Sequence, residues 1–428
     1  MRMSWEDVVL IEEGKSSGDP TVVTVNCPDK AGLGCDLLRV VLEFGLYVTR
    51  GDFSTDGKWC YVVLWVVPRP SSVRVDWESL NKRLLSCCPS FLPAFYLNQL
   101  TTGSKPPPLY LLTVFSLDRK GLIHDVTEVL CELDLSIQRV KVTTTPDGKV
   151  LDLFFITDAT DNVKHCSINN RDKLQTNYTR EETREHLRVA LGECCISCEL
   201  QLAGPEYDIQ EGHSCISEDI AEELFSSEME DQPQAIRDKL SKVDKASIIV
   251  DNRLSPTHTL LQIQCLDQKG LIYDVLKIFK DCDIRVLHGR FYASVQGYRS
   301  LDIFIQNENG KEIVDKDNLV GLCSRLKEEM QHPLRVIITN RGPDTELLVA
   351  NHVEVSGKGR PRVFYDVTLA LKKLKICVFS AEIGRHSTSN RQWEVYRFLL
   401  DESRGSPLTS NRAKRDIVDE VIRTLMGW

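Results

Sequence analysis

Residues 118–126 read DRKGLIHDV, and residues 267–275 read DQKGLIYDV. A shorter version, DKAGLGCD, spans 29–36, and PRVFYDV at 361–367 follows the same pattern with Arg362 in the place of the glycine. Each copy follows an apolar, β-branched run and opens a stretch whose apolar residues recur every three or four positions. Leu37, Val41 and Phe44 do so in the first, and Ile123, Val126, Leu130 and Leu133 in the second. Such a switch of period marks a strand-to-helix corner. Four corners spaced 89, 149 and 92 residues apart make the chain an internal repeat.

Around the first corner, TVVTVNC from Thr21 reads as a strand, and LYVTRGDF from Leu46 and WCYVVLWVV from Trp59 read as a hairpin turning at Asp56-Gly57. A helix over Val75–Leu85 follows, and FLPAFYLNQL closes the unit. The order β-α-β-β-α-β is the ferredoxin-like arrangement. Gly103 and three prolines mark 102–108 as a linker before the order returns. LYLLTVFSL, the corner helix, SIQRVKVTT, KVLDLFFIT, a helix near Glu181–Leu191 and CISCELQL form the second unit. In the third, an extra strand SIIVDN precedes TLLQIQCL, a helix covers Asp315–Met330, and LRVIITN is the closing strand. Leu151-Asp152-Leu153-Phe154 is expected to match Leu301-Asp302-Ile303-Phe304 in the two hairpins. The fourth unit runs from ELLVANHVEV through a helix over Val363–Leu374 to a terminal helix over Asn411–Leu425, with no strand after it.

The expected fold class is therefore α+β: four tandem ferredoxin-like βαββαβ domains arranged as two pairs. Their boundaries are 21–100, 110–203, 246–340 and 345–428, behind an N-terminal segment 1–20. Residues 204–245 are an acidic linker with two loosely packed helices, near Ser217–Phe225 and Ala235–Val243. The charge run reads as a solvated surface or a partner-binding segment. An isolated sheet of this kind leaves an edge strand bare, so side-by-side pairing is expected within the chain, between chains as a homodimer, or both.

A net charge of −9 and a pI near 5.6 argue against direct nucleic-acid binding. No apolar run reaches the length of a membrane span, and the N-terminus lacks the pattern of a signal or transit peptide. The expectation is a soluble protein of the cytoplasm, with nuclear residence open. Fifteen cysteines lack the paired spacing of a zinc site and read as reduced, buried or half-buried thiols. No cofactor is implied.

The corner itself suggests chemistry. The first turn of a helix leaves backbone N–H groups unpaired beside a partial positive charge, which suits a carboxylate or phosphate. Glycine there lets a ligand meet the backbone without a Cβ. An aspartate three residues earlier is placed to hold an ammonium group, so the two ends of an amino acid could be satisfied together. The structural alternative is simple: aspartate is a favoured N-cap and glycine permits the turn. Asp36, Asp125, Asp274 and Asp366, one turn into each helix, favour the helix dipole. Arg119-Lys120 and Gln268-Lys269 are expected to be solvated loop residues.

DRKGLIHDV and DQKGLIYDV look like the opening loop and first helix of ACT domains. The whole chain resembles the plant ACT domain repeat family, which has four such domains and no attached catalytic domain. The resemblance implies binding of small regulatory ligands, often amino acids, between paired domains. Carried over, the ligand positions are Asp29, Gly32 and Leu33; Asp118, Gly121 and Leu122; and Asp267, Gly270 and Leu271. The related uridylyltransferases use such domains to sense glutamine, which makes nitrogen sensing the family-level expectation, with a regulated enzyme or other protein as partner. The first copy departs at Ala31 and Gly34, and the fourth at Arg362, where a bulky cation should block backbone approach or change ligand preference. No GxSxG, HExxH or P-loop is present, so no enzyme activity is expected. His124 is expected to be a half-exposed helix residue, since Cys35 and Tyr273 stand in its place elsewhere. The alternative function is a ligand-free interaction scaffold that uses the acidic linker.

Overall fold

The computed structural model describes residues 8–16, 18–69, 75–89, 108–145, 147–158, 174, 177–204, 216–225, 246–294, 297–342, 344–355, 357–388, 391–401 and 410–428. In chain order, the first repeat holds β1 (Val9–Glu12), β2 (Thr21–Pro28), α1 (Leu33–Glu43), β3 (Leu46–Thr55), β4 (Trp59–Pro68) and α2 (Trp77–Cys87). The second holds β5 (Tyr110–Leu117), α3 (Leu122–Glu132), β6 (Leu135–Thr144), β7 (Lys149–Asp158), α4 (Asn177–Leu191) and β8 (Cys195–Leu202). After the linker helix α5 (Glu218–Phe225) come β9 (Ser247–Asp251), β10 (Thr259–Leu266), α6 (Leu271–Asp281), β11 (Arg285–Ala293), β12 (Tyr298–Gln306) and α7 (Lys316–Gln331). The last group is β13 (Leu334–Arg341), β14 (Asp344–His352), α8 (Val363–Lys373), β15 (Val378–Ser387), β16 (Gln392–Leu400) and α9 (Asn411–Met426).

The repeats pair in an interleaved way. One compact unit joins residues 1–102 to 234–333, and the other joins 103–233 to 334–428. The first unit has one eight-stranded sheet in the order β1-β2-β4-β3-β11-β12-β10-β9, so the first repeat pairs with the third. The second unit's sheet runs β13-β14-β16-β15-β6-β7-β5-β8, so the second pairs with the fourth. In both, the antiparallel partners at the centre are the strands that would otherwise be bare edges.

Side chains at the first unit's seam explain the match. Gly289 faces Phe53 and Phe291 faces Gly51, a reciprocal pairing of one G-x-F element with another. A β-carbon on Gly51 would lie 2.9 Å from the Phe291 ring and one on Gly289 would lie 3.1 Å from the same ring, so both glycines make room for Phe291. Asp52 and Arg290 meet between them at 3.2 Å. The second and fourth repeats carry Val142 against Ala381 at their seam instead.

Two strand assignments are corrected by the structure. LRVIITN, expected to close the third repeat, is β13 and pairs with β14 of the fourth. The edge place in the third repeat is taken by β9, the supposed extra strand, which pairs with β10. β1 fills the same place beside β2, within the segment read as an N-terminal extension. Among the described residues the first, third and fourth repeats therefore run ββαββα, and the second runs βαββαβ. The sheet order within each is the same, because an antiparallel edge strand can enter from either end of the unit. FLPAFYLNQL, the 102–107 part of the linker and the helix near Ala235–Val243 lie outside the described residues.

The apparent LDLF match is also one residue out. Asp118 and Asp267 both donate their N–H to the glycine of the following hairpin, Gly148 and Gly297, at 2.9 Å. Counted from those glycines, Asp152 stands where Leu301 does, and Val150 where Arg299 does. A slip of one residue swaps the faces of a strand, so Asp152 is buried in the core face while Asp302 faces outward and accepts from Gln262.

α5 is better packed than expected. Leu224 and Ile216 are buried against Leu348, Ala350, Trp393 and Val395 on the outer face of the second unit's sheet. The Phe225 ring lies 5.0 Å from Trp393 and stacks at 5.3 Å on His386.

Candidate functional site

At each corner the chain turns from strand to helix through one left-handed residue. Gly32, Gly121 and Gly270 have φ of 75, 80 and 77°, and each is the N-cap residue of its helix without a side-chain cap. Arg362 holds the same conformation at φ 63°. The aspartates are therefore not caps. Asp29 accepts from Thr55 Oγ1 at 2.7 Å, and Asp267 is held by Arg299. Leu33, Leu122 and Leu271 are all buried and anchor their helices to the core.

Pairing sets the corners face to face with the partner repeat's helix, and the four are not equivalent. The residue ten places after each corner decides what covers the opposite one. A β-carbon on Gly32 would lie 2.8 Å from the Lys280 side chain of α6, and one on Gly121 would lie 2.8 Å from Lys372 of α8. Each lysine is tied down at 2.7 Å, Lys280 by Asp36 and Lys372 by Asp125. Lys30 and Arg119 bind the same two carboxylates from the loop side. Those aspartates thus fasten lysine covers, beyond their favourable place near the helix dipole.

Opposite Gly270 the tenth residue is Leu42, and the corner opens into a cavity of about 30 Å³ lined by Leu38, Leu42, Tyr47, Arg69, Gly270 and Arg299 among others. A similar hollow of about 20 Å³ lies at Gly121 under Lys372. Both have room for a water or two, so a larger ligand must widen them. A roomier hollow of about 370 Å³ between α4 and β8 is an open surface groove bordering Arg184 and Arg188. It does not touch the corners.

The Gly270 corner carries a buried polar triad. Arg299, 1% exposed, donates from Nε to Asp267 Oδ1 at 2.9 Å, and from Nη2 to Asp267 Oδ2 at 3.1 Å and to the Tyr47 hydroxyl at 2.7 Å. The Tyr47 hydroxyl donates in turn to Asp267. Burial pushes its titration up to about 12, so it stays a donor. Arg69 and Arg299 both lie against the Tyr47 ring, at 5.3 and 5.1 Å. Gln268 and Lys269, expected in solvent, are buried instead, with Gln268 donating to the Met330 carbonyl at 2.8 Å.

The fourth corner is closed by its own residues. The Arg362 guanidinium lies 4.2 Å above the Tyr365 ring, and Asn351 brackets the backbone of Arg360 with hydrogen bonds of 2.9 and 3.0 Å. His124, expected to be half exposed, is buried at this seam. Its Nδ1 meets Thr368 Oγ1 at 3.1 Å, and its ring lies 4.9 Å from Tyr365. Burial first, and then Lys372, push it down to about 4 from an ordinary 6.5. The fold thus favours the uncharged ring, a contribution complete above pH 6.5 and lost as pH falls towards 4. The loss is about 3 kcal/mol. Thermal unfolding of the wild type should weaken over that range more steeply than that of His124→Gln, and parallel curves would refute the assignment.

Sequence reasoning missed Lys280, Lys372, Arg299 and Tyr47. The lysines could have been found by comparing the tenth residue after each corner, where Leu42 and Cys131 stand in the other two repeats. Among the described residues no three histidines, cysteines or carboxylates gather as a metal site. No helix among them is long and apolar enough to cross a membrane.

Comparison with known proteins agrees with this layout. Residues 11–89 match the family described as the N-terminal part of ACT domain-containing protein ACR10. Residues 247–344 match the ACR9-like, ACT-like domain, and residues 345–427 the C-terminal part of ACT domain-containing protein ACR9. The chain is 59% identical to ACT domain-containing protein ACR9 of Arabidopsis thaliana over 99% of both chains. It is 47% identical to ACT domain-containing protein ACR10 of the same plant, over 99% of this chain and 98% of that one. A bifunctional uridylyltransferase/uridylyl-removing enzyme of Azospirillum brasilense is 22% identical over 52% of this chain and 20% of the enzyme.

Proposed function

The chain belongs to the plant ACT domain repeat family, and on that premise we propose that it is a non-catalytic regulator that binds small carboxylate-bearing metabolites, amino acids first among them, at the corners between paired repeats. One observation carries the reading: a left-handed glycine N-cap opens at the seam onto a cavity edged by a buried arginine. Such a corner offers backbone N–H groups and a fixed positive charge to a carboxylate. Gly270 ranks first because no lysine covers it. Gly121 ranks second: it keeps a small hollow, although Lys372, tied to Asp125, would have to swing aside. At Gly32, Lys280 is held by Asp36, which also binds Lys30. The scaffold reading is weaker, because α5 already lays its apolar side on the chain's own sheet.

Calorimetry of the full chain against the twenty amino acids and a set of simple organic acids tests this. At least one should give heat, and Gly270→Val or Gly121→Val should remove it. Circular dichroism checks that both variants stay folded, since a β-branched residue at these left-handed φ values is strained. Silence from every compound with folded protein would defeat the proposal.

A further inference from the structure

The Gly270 corner differs from an amino-acid site in one respect: the aspartate expected to hold an ammonium group is already occupied. Asp267 receives Arg299 Nε, Arg299 Nη2 and the Tyr47 hydroxyl. A carboxylate so supplied has little capacity left for a further donor. Arg299 has the reverse condition. Its Nη1 is buried without a hydrogen-bond partner, and the residue is 1% exposed. A guanidinium carries five N–H donors; Nε and Nη2 are engaged here and the Nη1 pair is left over. The cavity that this residue lines contains two guanidinium groups, Arg69 and Arg299, and no carboxylate.

The second unit supplies the contrast. At its Gly121 corner Val150 takes the place of Arg299, and Asp152 lies buried on the same strand two residues further on. At the same strand position one unit thus holds a buried guanidinium and the other an apolar side chain.

We propose that the Gly270 corner selects a small carboxylate lacking an α-ammonium group, a 2-oxo acid rather than the corresponding amino acid, with Arg299 Nη1 and the first backbone N–H groups of α6 as its donors. This rests on the reading of that corner as a ligand site. An α-ammonium group would be set beside two guanidinium groups with no carboxylate free to receive it, whereas a 2-oxo oxygen is a further acceptor for Nη1.

The test is titration calorimetry of the full chain with matched pairs: pyruvate and alanine, 2-oxoisovalerate and valine, 2-oxoglutarate and glutamate. Inorganic phosphate serves as a general anion control. The expected result is that one 2-oxo acid binds at least about tenfold more tightly than its amino-acid partner and than phosphate. Asp267→Asn keeps Arg299 and frees its donors, so 2-oxo-acid affinity should hold or rise. If Asp267 held an ammonium group, the same change would lower amino-acid affinity instead. Arg299→Leu should abolish binding, and circular dichroism checks that this variant is folded. Tighter binding of an amino acid that Asp267→Asn weakens and Gly270→Val abolishes would overturn this inference and leave the ligand site standing. Equal binding of phosphate would overturn it as well. Binding of no compound would remove the ligand-site reading itself.

Discussion

Lys277→Met should cost about 3–5 kcal/mol of unfolding free energy. Every residue of α6 from Leu271 to Phe279 is buried, because this helix packs on α1 of the first repeat, on α7 and on the sheet. Lys277 is 1% exposed and Glu329 of α7 is 2% exposed, and the two form an ion pair. Removing the ammonium leaves a carboxylate in the interior without its countercharge, and that loss outweighs the apolar area methionine supplies. Because α6 also packs against α1, the first repeat should unfold in the same step. Replacing both members, Lys277→Met with Glu329→Leu, should recover most of the loss. Urea unfolding of the three proteins decides it. A single variant within about 1 kcal/mol of wild type would show that the pair is dispensable.

Asp152→Asn should have the opposite sign. Asp152 is fully buried on β7 and neither carboxyl oxygen has a hydrogen-bond partner. Burial, with Asp118 nearby, pushes it up to about 8 from an ordinary 3.8. An acid raised on folding favours the protonated fold at low pH, and this contribution is lost as pH rises from 3.8 through 8. Asparagine has the shape of the protonated acid and does not titrate. The two proteins should therefore be similar near pH 4 and diverge by about 1.4 kcal/mol per pH unit towards pH 8. At neutral pH the variant should be about 4 kcal/mol more stable. Unfolding at acid, neutral and alkaline pH measures the gap. A constant difference would mean that Asp152 is ionised throughout in the fold.

The repeats and their corners were legible because a helix period and a left-handed glycine each leave a mark in a short window. What surrounds a corner was not, since it comes from another repeat. Lys280 covers Gly32 across more than two hundred residues of sequence, and only pairing makes the two neighbours. The pairing had a signal, G-D-F at 51–53 and G-R-F at 289–291, but a glycine beside an aromatic gains meaning only across a ladder. Arg299 was hidden by a false match: LDLF and LDIF align by letter, while the hairpin glycines align one residue away. β13 was misassigned because an alternating strand reads the same whether it ends one unit or begins the next. Arg341 pairs with Asp344, and Gly342, left-handed at φ 64°, was the available clue to a tight hairpin.

Interleaving also governs how the chain can be made. The seam strand β3 is synthesised long before β11, its lateral partner, so a bare edge must persist while two hundred further residues emerge. Contacts of such sequence separation slow folding and lengthen the exposure of edges to other chains. The acidic segment between the second and third repeats lies within that interval, and its charge would keep nascent chains apart at the stage when their sheets are still open.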